Sequence, residues 1–331
     1  MENQDKKKIL NKIVEDFKTV GFSKEQILKL LNTRQKEKEE SLPFLRVNIQ
    51  ERFSLFEKIF SDSGVSKEDM YNALSDGIVF SYLPASLSDL LSFIQGKGAD
   101  SKLFLKEMSS TAHGRAVLAW GPKKIKSNIN ESLVILDKYK ISMRDFIVMA
   151  FKYPNILKIN PKNLDTKLVD FIEFAKSHGV SFDESISVLK KMPDILVKDI
   201  ETLKQKCSVV GDFVQKFGVQ KQDWVDACFS HPKLFCKDVN ALIQNITTYQ
   251  ENFEKGVFCF SQHPDADKKH LMKYLLSSPQ YICISPSNVK ERMLYAQQLL
   301  ARGKKATTAV LYLSKAKMQK NLKDLSKQGE K

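Results

Sequence analysis

Apolar positions in the second half of the chain fall into a frame that repeats. Four prolines mark it, Pro154, Pro193, Pro232 and Pro279, with spacings of 39, 39 and 47 residues. Arg115 stands 39 residues before Pro154 and occupies the same place without the proline. Counted from these five residues, offset +3 is Leu118, Leu157, Leu196, Phe235 and Ile282. Offset +7 is Pro122, Pro161, Ile200, Val239 and Pro286, and offset +10 is Ile125, Leu164, Leu203, Leu242 and Val289. Offset +14 is Ile129, Leu168, Cys207, Ile246 and Met293. Spacings of three and four put offsets +7, +10 and +14 on one helical face. Proline at +7 suits the first turn of a helix, where its missing N–H is not needed. The frame therefore predicts a short turn and then a helix from about +7 to +23.

A second landmark follows at +25, where Lys140, Gly179 and Gly218 stand, with Gly303 one residue early. Glycine past the end of a helix fits a left-handed C-cap. A second helix should start at once, with Ser181 and Glu184 as a capping box and Ser142 as an N-cap. Apolar residues fall at +7 and +10 from this landmark, as Ile147/Ala150, Ile186/Leu189 and Val225/Cys228. The same spacing occurs from Gly21 (Leu28/Leu31), Gly64 (Tyr71/Leu74), Asp265 (Met272/Leu275) and Gly303 (Val310/Leu313).

One pair of helices cannot bury its own apolar faces, so successive pairs must stack. The expected fold is all-α, a superhelical solenoid of helical repeats of about 39 residues, with almost no sheet. Residues 1–20 form a capping helix built on Leu10, Ile13, Val14 and Phe17. Residues 21–114 are degenerate repeats, starting at a capping box of Ser23 and Gln26. The run Lys36 to Glu40 reads as a solvated linker, and apolar spacing returns from Pro43 to Phe60. Pro84, Leu87, Leu90 and Leu91 suggest a further unit, with Gly98 at the next joint. Residues 115–317 are the regular repeats and 318–331 a basic tail. The extra eight residues between Pro232 and Pro279 read as a loop inserted between two helices, near Gly256 to Lys269. Phe258 and Phe260 in it either touch a partner or pack locally. Val310, Leu313, Leu322 and Leu325 suggest one last helix.

The net charge of +14 points to a polyanionic partner. All but seven of the 53 cationic side chains are lysine. Lysine neutralises phosphate well but lacks the planar fork with which arginine reads bases. The stretch from Arg302 onward carries nine basic and two acidic residues, or +7 of the +14. The five cysteines form no CxxC pair, and Cys207, Cys228 and Cys283 fall on or beside apolar positions, as small buried thiols. Cys259, His263 and His270 match no zinc spacing. The five histidines belong to no triad, zincin or phosphate-loop motif, so no catalysis, metal or cofactor is expected. No run is long and apolar enough for a membrane span, and a monomer is expected. The first twenty residues contain acids and no arginine, unlike a mitochondrial presequence, so the expectation is either a chain that acts where it is made, in the cytoplasm, or one from which a targeting segment has been removed.

Four passages in frame resemble the mitochondrial transcription termination factor family. They are YPNILKINPKNL (153–164), AKSHGVSFDESISVLKKMPDIL (175–196), FGVQKQDWVDACFSHPKLF (217–235) and SSPQYICISPSNV (277–289). The resemblance is close over 115–317 and loose over 21–114. It implies an array of helical repeats that binds nucleic acid through a basic groove. Family members act on duplex DNA in transcription termination or regulation, or in organellar RNA processing and ribosome assembly. It also implies a mitochondrial location as the alternative to a cytoplasmic one. A protein–protein scaffold of the same fold is the other function left open.

Candidate contacts follow from the frame. Offset +13 is polar throughout: Asn128, Lys167, Lys206, Asn245 and Arg292. Stacked units would present these as a ladder to a strand, or leave them on a solvated face. Offset +11 adds Lys126, Lys204 and Lys290, and Lys123, Lys124 and Lys126 cluster beside Pro122. The C-terminal candidates are Arg302, Lys304, Lys305, Lys315 and Lys317.

Overall fold

The computed structural model of the chain describes residues 2–32, 48–76, 79–261, 263 and 265–328. The linker at Lys36 to Glu40 and the approach from Pro43 to residue 47 lie outside them. Among the described residues there are seventeen α-helices and two strands of two residues each. The chain is all-α, as the apolar periodicity predicts. It divides into two compact units, residues 1–169 and 170–331.

The first unit runs α1 (Glu2–Thr19), α2 (Lys24–Asn32), α3 (Ile49–Asp62), α4 (Lys67–Asp76), α5 (Pro84–Gly96), α6 (Ser101–Ser110), α7 (Ala112–Leu118), α8 (Pro122–Asp137), α9 (Met143–Lys152) and the start of α10 (Pro161–Ser177). Helix α1 packs on α2 and α3 through buried Ile13 and Phe17. Phe17, Phe22, Phe53 and Tyr71 form an aromatic cluster with Phe80, the closest rings being Phe22 and Tyr71 at 5.0 Å. The capping box of Ser23 and Gln26 is present, Ser23 N–H donating to Gln26 Oε1 at 2.9 Å. One expectation is corrected here: Leu28 is 47% exposed, and Ile27 and Leu30 are buried instead. Helix α2 packs on α1 and α4, which cover the face one residue earlier.

At Arg115 the missing proline has a structural consequence. The place taken elsewhere by a 3-10 turn is here α7, a seven-residue α-helix. Helices α6 and α7 meet at Gly114, where a Cβ would lie 2.4 Å from the Met108 carbonyl oxygen. Only glycine permits that approach.

The second unit runs from the rest of α10 through α11 (Phe182–Lys191), α12 (Ile200–Gln215), α13 (Lys221–Ser230), α14 (Val239–Glu254), β1 (Phe258–Cys259), α15 (Lys268–Ser277), α16 (Pro286–Leu300), β2 (Ala306–Thr307) and α17 (Lys315–Gln328). The proline-marked segments are 3-10 turns: Pro154–Lys158 in the first unit, and Pro193–Val197, Pro232–Cys236 and Pro279–Tyr281 in the second. The residue before each of the four prolines is forced out of the helical region, with φ between −130° and −139°. The helix ends there, and the turn sends two apolar side chains inward, such as Ile195 with Leu196 and Leu234 with Phe235.

Stacking in the second unit is like on like. Helix α12 packs on α14 and α14 on α16, while α11 packs on α13 and α13 on α15. The landmark at +25 behaves as predicted, Gly179 and Gly218 having φ of 80° and 81°. Lys140, at the same place in the first unit, has φ 56° and is the one non-glycine residue with positive φ among the described residues. Ser142 with Asp145 and Ser181 with Glu184 both form capping boxes.

The insertion after Gly256 carries β1, which pairs in parallel with β2, Phe258 opposite Ala306. Phe258 is buried, and Phe260 packs edge-on against Tyr274 at 5.3 Å, so both rings serve local packing. The single last helix is corrected. Thr308–Tyr312 is a 3-10 turn that buries Val310 and Leu311, and α17 starts afresh after an extended Leu313.

Candidate nucleic-acid interface

The polar side chain at +13 sits one residue before the buried +14 position, so it lies at the rim of the helix–helix contact. The following 3-10 turn ends there with carbonyl groups that have no helical partner. Four of the five +13 side chains meet those carbonyls. Asn128 Nδ2 donates to Ile159 O at 3.4 Å. Lys206 Nζ donates to Phe235 O at 2.7 Å and to Lys237 O. Asn245 Nδ2 donates to Ile282 O and Ile284 O, both at 2.9 Å. Arg292 Nη1 donates to Leu311 O.

These bonds correct the picture of a ladder held out to a strand. Asn245 is fully buried. Asn128, Lys206 and Arg292 are half-buried and engaged with main chain. Lys167 is half-buried at the equivalent place. Burial beside carbonyls holds the Lys206 ammonium below the usual lysine pKa, with Lys198 adding repulsion. Position +13 clasps one repeat to the next, a role that needs a donor and explains why Asn, Lys and Arg alternate there.

The other candidates divide. Lys126 is paired with Asp89 and lies over the Phe93 ring. Lys204 bonds Glu201 at 2.7 Å, which raises its pKa, and Asp170 and Glu173 add to that field. Lys315 bonds Glu291 at 2.8 Å. Lys290, Arg302, Lys304, Lys305 and Lys317 are exposed. Arg302, Lys304 and Lys305 come together in the short link between α16 and β2, and Lys317 lies on α17.

Lysines recur on the proline turns of the repeats, next to the aspartates that cap the helices after them. Second helices open with carboxylates and lysines together: Asp183 and Glu184 on α11, Lys221 and Asp223 on α13, and Asp267 capping α15 before Lys268 and Lys269. Lysines stand at the end of α11 and on or just after the turns, as Lys190 and Lys191, then Lys198, then Lys233 and Lys237, with Asp194, Asp199 and Asp238 between them. The first unit repeats this with Asp145 at the start of α9, Lys152 at its end and Lys158 in the turn. Helix dipoles favour this arrangement. At the start of α13, Lys221 pairs with Asp212 at 2.8 Å. Lys158, Lys198, Lys233 and Lys237 were missed as candidates, although each stands at +1, +4 or +5 from its proline and was readable in the frame.

No helix among the described residues is long and apolar enough to cross a membrane. A comparison with curated proteins returned no match. The mTERF family model matches residues 1–266, which includes the degenerate repeats and stops just before α15. The Pro279 unit continues the same architecture beyond the match, and the chain belongs to the mTERF family.

Proposed function

We propose that this chain is a non-catalytic nucleic-acid-binding factor of gene expression that acts as a monomer. Duplex DNA, in transcription termination or regulation, is its first assignment and RNA its second. In the second unit phosphates are held by the turn lysines Lys198, Lys233 and Lys237, together with Arg302, Lys304, Lys305 and Lys317, and in the first unit by Lys158 at the equivalent place. The recurrence of lysine on the turns of successive repeats, at Lys158, Lys198, Lys233 and Lys237, supports this reading. Family membership supports it. The scarcity of arginine favours backbone contacts over dense base reading.

Fluorescence anisotropy with duplex DNA, single-stranded DNA and RNA across a salt series tests it. Affinity is expected to fall with salt at about −0.9 log units per log unit for each phosphate contact on duplex. Binding that is indifferent to salt would remove the phosphate reading and leave the scaffold.

A further inference from the structure

We propose that a notch beside Trp120 takes one unpaired nucleotide, stacking its base on the indole and holding its phosphates with Lys124 and Lys158. This rests on the nucleic-acid reading above and adds that the bound strand contains a single-stranded segment.

The notch, of about 370 Å³, lies in the first unit between α8 and the start of α10. Its lining includes Trp120, Lys124, Ser127, Glu131, Lys158 and Asn160. That volume suits one nucleotide and not a duplex. The Lys124 ammonium lies 4.7 Å from the centre of the Trp120 ring, so the π-face is presented to a cation in the notch and not packed into the core. Chain geometry fixes the indole. Gly121 has φ 85° and opens α8, and the Tyr82 hydroxyl donates to Ala119 O, so residues on both sides of Trp120 are pinned. Lys158 closes the turn before α10, and Lys123 and Lys162 stand exposed beside the notch in sequence.

A platform of one aromatic ring with flanking ammonium groups is what single-strand binding requires, because every base has a π-face and every nucleotide a phosphate. On entry the base replaces the Lys124 ammonium on the ring, and the ammonium turns to the phosphate. Glu131 is the one carboxylate in the lining, and its Oε1 accepts from Ser127 at 2.6 Å. It suits the amino and imino donors of a base edge and repels phosphate.

The chain has two tryptophans, and Trp224 is fully buried. The emission difference between wild type and Trp120→Phe therefore reports on the notch. Titration with a short single-stranded DNA, the matching RNA and a blunt DNA duplex should quench this difference with the single strands and not with the duplex. Trp120→Ala should weaken single-strand binding about tenfold, Trp120→Tyr should restore most of it, and duplex affinity should stay within about twofold. Thermal melting of each variant checks the fold. Single-strand binding with an unchanged Trp120 signal, or equal affinity in Trp120→Ala, overturns the notch and leaves the phosphate reading standing. Failure of every probe to bind removes both.

Discussion

Asn245 shows how a polar residue in a repeat can be read in two ways until its neighbours are known. Its Nδ2 serves two carbonyls of the next turn, and its Oδ1 has no partner among the described residues. The amide is there for its donors. Replacing it with leucine leaves both carbonyls unpaired in a dry site and should lower stability by about 2 kcal/mol in urea unfolding. Lys206 does the same work with a charge, and burial lowers its pKa below 10.5. Between the lowered value and 10.5 the unfolded chain holds a proton that the folded chain has released. Stability should therefore rise with pH through that window. Lys206→Met should lose this rise, measured as the difference between urea midpoints of the two proteins across the window.

At the scale of elements, each repeat is bounded by local chemistry that acts before any stacking. Proline ends the second helix and starts the turn, a left-handed residue ends the first helix, and a capping box starts the second. Lys140 breaks this pattern, because a side chain with a Cβ strains the left-handed region. Lys140→Gly should stabilise the protein by about 1 kcal/mol, and Ser181→Ala should cost about 1 kcal/mol through its cap. Both are read as shifts in thermal or urea unfolding. These boundaries were legible because the caps and breakers are sequence-local, and the helices opening at Pro161, Ile200 and Val239 begin where the frame puts them. The Leu28 face and the split at Leu313 were not legible. A helix of mixed apolar residues turns toward whatever covers it, and that cover comes from elsewhere in the chain.

For the molecule as a whole, the question is which lysines an anionic partner meets. Reversing Lys198, Lys233 and Lys237 together to glutamate should weaken nucleic-acid binding at least tenfold and make the salt slope on duplex shallower by about 0.9 for each residue. Reversing Lys216, Lys268 and Lys269, which stand off the turns, should change it far less, in the same anisotropy assay. Equal losses from the two sets would mean that net charge alone drives binding. If reversing Lys304, Lys305 and Lys317 has the larger effect, the C-terminal stretch is the principal anchor.

The period, the helix limits, the proline turns and the excess of lysine can all be read along the chain. Each of these depends on residues within a few positions of one another, where helix geometry alone relates them. Packing selects which polar residues end up inside. Asn128, Lys206, Asn245 and Arg292 look like surface donors along the chain, and became clasps only when the next turn brought its carbonyls to them. It also brought Lys158 of a later turn to the notch that holds Trp120 and Lys124, thirty-odd residues earlier in the chain. A side chain's partner across a stack is set by packing, and no spacing within its own helix encodes it.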